Sequence, residues 1–150
     1  MVKGSPFENK FKAQTKRDTR LVDNRTERPT GEDLPKVCIN FKDFDFTQCP
    51  PGQNFNSWQS ENLLECLCTK FISLCELNIV EATQQRVIKI YGNFPKNSEF
   101  HLPRHIQEEV KWGTLQRIGG QKPRVAGYVI DNVFYPVFLD KDHKFCHSKK

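Results

Sequence analysis

This sequence has no apolar run near the roughly 18 residues that suggest a membrane span. It has no P-loop, no dinucleotide fingerprint and no G-x-S-x-G, so the common nucleotide-hydrolysing, dehydrogenase and serine-hydrolase signatures are missing. No internal repeat is present, which argues against solenoids and propellers. The opening Met1-Val2-Lys3-Gly4-Ser5-Pro6 carries a charge but no apolar stretch behind it, unlike a secretory signal. Apolar residues make up only 37% of the 150 residues, low for a wholly packed chain. These absences lead us to expect one cytoplasmic domain without a membrane partner, plus an unstructured segment.

Residues 1–35 are the natural place for that segment. Apart from Ala13, their only aliphatics are Val2, Leu21, Val22 and Leu34. Such a stretch buries too little apolar area to offset its ordering entropy. We therefore expect a flexible charged tail over 1–35 and a single α+β domain over 36–150. Cysteines 38, 49, 66, 68, 75 and 146 are expected to be reduced thiols, given the absence of a secretory signal.

The net charge of +5 is uneven. Residues 101–150 hold nine Lys/Arg against five Asp/Glu, whereas 36–100 hold six against seven. From Lys111 to Arg124 there are four basic residues and no acid. A patch of this kind attracts polyanions, most often nucleic acid, although an ordinary solvated face is the plainer reading.

Val37-Cys38-Ile39-Asn40-Phe41 suggests a short strand. The clearest helix covers 57–75, capped by Asn56 or Ser57. Its apolar stripe is Leu63, Leu67, Phe71 and Leu74, widened by Leu64, Cys68 and Cys75. A shorter helix is expected over 78–85, capped by Asn78. A strand follows over 86–91, and Pro103 opens a short helix that ends at Trp112-Gly113.

Residues 124–139 contain two β-rich runs around Asp131-Asn132, the pattern of a tight hairpin. A two-residue turn sets the register: Ile130 faces Val133, Tyr128 faces Tyr135 and Gly127 faces Pro136. Pro136 then loses no ladder bond to its hairpin partner, so the strand there is either an edge or bulged. Strict alternation places Val125, Val129, Phe134 and Phe138 on the helix-packed face. It places Arg124, Tyr128, Ile130, Tyr135, Val137 and Leu139 on the other, as a stacking platform or a half-exposed sheet face.

Metal and nucleophile patterns are thin. Cys66-x-Cys68 and His143-x-x-Cys146-His147 have no familiar zinc spacing, and Cys66 and Cys68 point apart on a helix. Cys146 between two histidines has no triad-like separation. Asp140 and Asp142 flank Lys141 in what reads as a solvated turn, and Glu108-Glu109 as a helix surface. No metal and no cofactor are expected. Metal-free RNA cleavage fits better. There a 2′-hydroxyl attacks the adjacent phosphate, cations hold the extra charge, and an acid protonates the leaving 5′-oxygen. Lys111, Arg117, Lys122, Arg124, Tyr128, Tyr135, His143, Lys144 and His147 supply these residue types.

The run Leu115-Gln116-Arg117-Ile118-Gly119-Gly120-Gln121-Lys122-Pro123-Arg124-Val125, then the hairpin, then His143-Lys144, resembles the C-terminal half of RelE-type toxins. The resemblance spans Leu115–His147. It implies a small antiparallel sheet with helices, a metal-independent endoribonuclease acting with ribosomes, and an antitoxin peptide as protein partner. Arg124 would clamp phosphate and His143-Lys144 would take the family's His-Arg position, with His147 standing in for a late tyrosine. Lys111, Arg117, Lys122, Tyr128 and Tyr135 would contact RNA. The alternative is a non-catalytic protein-interaction factor of a phage or mobile element. A small zinc-stabilised module is a third reading.

Overall fold

A computed structural model of the chain describes residues 34–48 and 53–146. The tail expected over 1–35 lies almost wholly outside them, as do Cys49 and His147. The described residues form an α+β fold with a five-stranded sheet. In chain order the elements are β1 (Cys38–Ile39), α1 (Phe55–Ser60), α2 (Leu63–Cys75), α3 (Ile79–Gln84), β2 (Ile88–Gly92), β3 (Lys111–Leu115), β4 (Arg124–Ile130) and β5 (Val133–Asp140). The sheet order is β1-β5-β4-β3-β2. The β2–β3, β3–β4 and β4–β5 pairs are antiparallel, and β1 runs parallel to β5, so the expected antiparallel sheet carries one parallel edge strand. No helix among the described residues is long and apolar enough to cross a membrane.

The hairpin has the expected register, with Ile130 opposite Val133, Tyr128 opposite Tyr135 and Gly127 opposite Pro136. Asp131 takes φ 55°, a left-handed conformation that Asp tolerates better than most residues. Pro136 sits beside a bulge, because Ala126 pairs with Phe138 and Val137 is the extra residue. That extra residue corrects the expected faces. A bulge inverts the alternation beyond it, so Phe138 joins Ala126 and Tyr128, and Leu139 joins Val125 on the helix side. Gly127 is required here, since a Cβ would lie 2.2 Å from the Tyr135 carbonyl oxygen.

Each sheet face is covered differently. On one, α1–α3 pack Trp58, Leu63, Leu67, Leu74 and Ala82 against Val125, Val129, Phe134 and Leu139. On the other, Phe100, Ile106 and Phe145 cover Trp112, Tyr128 and Phe138 with irregular chain. The helix expected from Pro103 is absent. One turn closes with the Ile106 N–H donating to Pro103 O at 3.1 Å, but the segment spreads its apolar residues across the sheet. Trp112-Gly113, expected to end that helix, lies instead within β3, which pairs with β2 and β4.

The helix expected over 57–75 is two helices. Asn62 breaks it at φ 61°. Trp58 and Leu63 are five residues apart, about 140° around a straight helix. Both are buried, and the break lets both reach the core. The first helix is capped by Asn54, four residues before Trp58, rather than by Asn56 or Ser57. Asn78 caps α3 as expected. Cys68 and Cys75 are exposed, not part of the core stripe.

Candidate functional site

The basic segment folds as a loop between β3 and β4. Ile118 is fully buried and its N–H donates to Pro123 O at 3.1 Å, so the loop is anchored at its base. The Gln116 N–H continues the sheet by donating to Val87 O at 3.0 Å. Arg117 holds φ 60° and Gly119 φ 68°. Arg117 is a residue type that seldom adopts this conformation, and such strain is often found at functional sites. Arg124 opens β4. Its Nε donates to Lys122 O at 3.1 Å and one Nη to Gln121 O at 2.9 Å, so the guanidinium braces the loop it follows. Gln116, Arg117, Gly119, Gly120, Gln121 and Arg124 line an open cavity of about 690 Å³.

The register brings a second element to this end of the sheet. Arg124 pairs with Asp140, the last residue of β5. Asp140 is fully buried, which corrects the reading of a solvated turn. Its carboxylate accepts the N–H groups of Lys144 at 2.7 Å and Phe145 at 2.8 Å. Burial pushes its carboxyl above the ordinary range, and these two N–H groups and Arg124 pull the other way. The turn they fix carries His143 at φ 61°. Gln53 pins the same turn, accepting the Lys141 N–H at 2.8 Å and the Trp58 indole N–H at 2.6 Å.

The remaining site residues divide. Arg117, Lys122, Arg124 and His143 share this end of the sheet. Lys144 belongs to the same turn, but its ammonium lies 3.5 Å from Glu99 and it does not line the cavity. Lys111 opens β3 opposite Val129, four residues from the Leu115–Val125 pair, or about 13 Å along the strand. It lines a separate cavity of about 740 Å³.

Tyr128 is 3% exposed, so its ring is not the open stacking surface expected of it. Tyr135 stacks on it at 4.6 Å, and the Lys42 ammonium sits 5.3 Å from the Tyr135 ring centre. The phenol of Tyr128 donates to Asp43, and burial together with that bond raises its pKa far above the ordinary tyrosine value. The tyrosine pair is thus already occupied by the protein's own groups.

Sequence reasoning missed Lys70. It lies on α2 one helical turn beyond Cys66, whose Sγ is 3.0 Å from where a Cβ on Gly119 would sit. Partial burial lowers the Lys70 pKa, and the positive charge of Arg117 lowers it further. The signal was present as the spacing Leu63, Cys66, Lys70 along one helix face. The tie between His105 Nε2 and Asp43 at 3.3 Å was also missed, and only tertiary structure joins those loops. Among the described residues no group of three or more His, Cys, Asp or Glu is arranged to hold a metal ion.

Comparison with protein-family models, with curated proteins and with solved structures found no match for this chain. The functional reading therefore rests on the site itself. That site has two arginines, Arg117 and Arg124, lining one cavity, and arginine is a residue type suited to holding anions.

Proposed function

We propose that this chain is an RNA-directed protein resembling RelE-type toxins, acting as a metal-independent endoribonuclease on ribosome-bound mRNA. The observation that carries the reading is the joint presence of Arg117 and Arg124 on one cavity, at the sheet end that also bears His143. In such a reaction the 2′-oxygen forms a bond to phosphorus and the bond from phosphorus to the 5′-oxygen breaks. The 2′-oxygen loses a proton and the 5′-oxygen gains one. Arg117 and Arg124 hold the charge that builds on the phosphoryl oxygens, and His143, in the turn that follows β5, is the proton carrier. Lys122 adds long-range attraction for RNA. Lys144, His147, Lys111, Tyr128 and Tyr135 have no assigned role in this scheme.

The test is incubation of the full chain with ribosomes and translating mRNA, beside free RNA, with EDTA in the free-RNA arm only. Cleavage lost in both Arg117→Ala and Arg124→Ala, with folding retained by circular dichroism, is the expected result. Cleavage unchanged in both variants contradicts it. A second reading, a non-catalytic protein-interaction factor, is favoured by exposed Phe41, Phe46 and Phe55, which are 45%, 57% and 37% accessible. Aromatic surface of this extent commonly marks a protein partner.

A further inference from the structure

We infer that the outer face of α2, with the phenylalanines beside it, is a docking surface for an amphipathic helix of a partner protein that carries Lys or Arg at both ends. The inference rests on the protein-partner reading of the exposed phenylalanines and is independent of RNA cleavage.

The surface extends beyond those rings. Among the described residues six large hydrophobics are exposed, and they fall into two groups. Val80 and Ile130 line the cavity that holds Lys111. The others are Phe41, Phe46, Phe55 and Ile72. Phe41 stands 6.2 Å from Phe55 and 5.7 Å from Phe71, and Phe44 joins Phe55 at 4.8 Å and Phe46 at 5.8 Å. Phe71 carries the surface onto α2. There Leu64, Cys68, Phe71 and Cys75 recur at spacings of four, three and four, which puts them on one helix face. Cys68 and Cys75 are exposed, and Ile72, one turn beyond Cys68, is 64% exposed. This second apolar stripe lies beside the buried Leu63, Leu67 and Leu74. From Leu64 to Cys75 it runs about 16 Å, or three turns, and its spacing is that of a seam between packed helices.

Charge selects the partner. The charged residues among the aromatic ones are turned to the protein's own groups: Asp43 to Tyr128 and His105, Asp45 to Thr47 and Gln48, Lys42 to the Tyr135 ring. Glu65 and Glu76 border the stripe near its two ends, and neither forms an ion pair among the described residues. Glu76 stands at the C-terminal end of α2, where the helix dipole is negative and the last turn holds no basic residue. The free charge beside the stripe is therefore negative at both ends.

That charge disfavours other occupants. A nucleic acid or an anionic membrane is repelled by both carboxylates. A second copy of this chain, related by a two-fold axis, sets carboxylate against carboxylate whether the two helices run parallel or antiparallel. A helix with apolar residues at matching spacing and a cation near each end pairs both carboxylates and covers the apolar stripe.

The test uses the isotopically labelled full chain and an acetylated alanine-based peptide with leucines at i, i+4, i+7 and i+11 and lysines at both ends. One control peptide has glutamates at both ends, and another has the leucine spacing scrambled. We expect the lysine-ended peptide to bind at least about tenfold tighter than either control, with the largest amide shifts at Phe41, Cys68, Ile72 and Cys75. Ile72→Asp, at an exposed position, is expected to weaken binding more than about tenfold and to leave RNA cleavage unchanged. Glu65→Lys combined with Glu76→Lys should reverse the preference towards the glutamate-ended peptide.

Equal binding of the peptides, binding that survives Ile72→Asp, or no binding of any peptide overturns the inference. Concentration-dependent dimerisation that Ile72→Asp abolishes overturns it in favour of a second copy, and RNA-induced shifts at Cys68 and Ile72 overturn it in favour of nucleic acid. The expected peptide binding by a chain that cleaves no RNA upholds this inference and removes the RNA-directed reading.

Discussion

The two ends of the sheet differ in kind. At the hairpin-turn end lies the larger cavity, about 740 Å³, walled by Ile79, Val80 and Ile130 and bearing Glu109, Lys111 and Asp131. At the other end lies the smaller, about 690 Å³, bearing Arg117 and Arg124. Volume favours the first and chemistry the second. The hairpin-turn end carries charges of both signs, Glu109 and Asp131 against Lys111. Near the basic end the Lys70 amine is lowered first by partial burial and then by the positive charge of Arg117. An arrangement that disfavours the free protein and favours an anion is the stronger sign of a binding site.

The sharpest way to break that comparison is to remove one cation from each end. Arg124→Ala should lower RNA cleavage by about 100- to 1000-fold, the usual effect of losing a transition-state charge partner. Lys111→Ala should change it less than about twofold. Equal losses in a single-turnover assay would dissolve the distinction between the ends.

The next effect is on stability. Ile118 anchors the basic loop and is fully buried, whereas Val80 at the other cavity is 40% exposed. Ile118→Ala should cost about 2 to 3 kcal/mol in urea unfolding and loosen the loop. Val80→Ala should cost less than about 1 kcal/mol.

A smaller effect concerns Asp140, whose carboxyl is raised in the folded state by burial. Between the unfolded value, about 3.9, and the higher folded value, the native state binds more protons than the unfolded chain. The contribution from Asp140 is therefore fully present below the unfolded pKa and is lost as pH rises through the folded one. Urea melts of wild type and Asp140→Asn should show the wild-type advantage shrinking from pH 3.5 towards neutrality. An advantage that grows over that range would contradict the burial argument.

The smallest effect has the opposite sign from most substitutions. Lys70→Met should leave the protein as stable or more stable, by at most about 0.5 kcal/mol, because it removes a partly buried charge that Arg117 also repels. A clear loss of stability would make Lys70 a structural residue.

The hairpin was legible because its information is local. Asp131-Asn132 sets the register, and Gly127 opposite Pro136 is a pair that only one register permits. The Asn78 cap was legible for the same reason. The faces beyond Pro136 were not, because one bulged residue reverses the alternation without changing the composition. Strand β3 was hidden by its neighbours, where Pro103 and Glu108-Glu109 give a helical pattern and Gly113 interrupts the β-rich run.

The site was half legible. Arg117, Lys122 and Arg124 lie within eight residues of one another, and the hairpin returns the chain bearing His143 to the same end of the sheet. The helix residues at that loop, Leu63 and Cys66 against Gly119, meet it only through tertiary packing of α2. Tyr128 and Tyr135 misled because strand alternation says which face a ring takes, not what covers it. The cover is a loop over residues 94–110 and the chain around Asp43.

The most direct test is to titrate the isotopically labelled full chain with a short RNA and follow backbone amide shifts. The account predicts the largest changes at Gln116–Arg124 and in the turn carrying His143, with Lys111 and Ile130 little affected. Changes concentrated at Val80, Lys111 and Ile130, or none at saturating RNA, would contradict it.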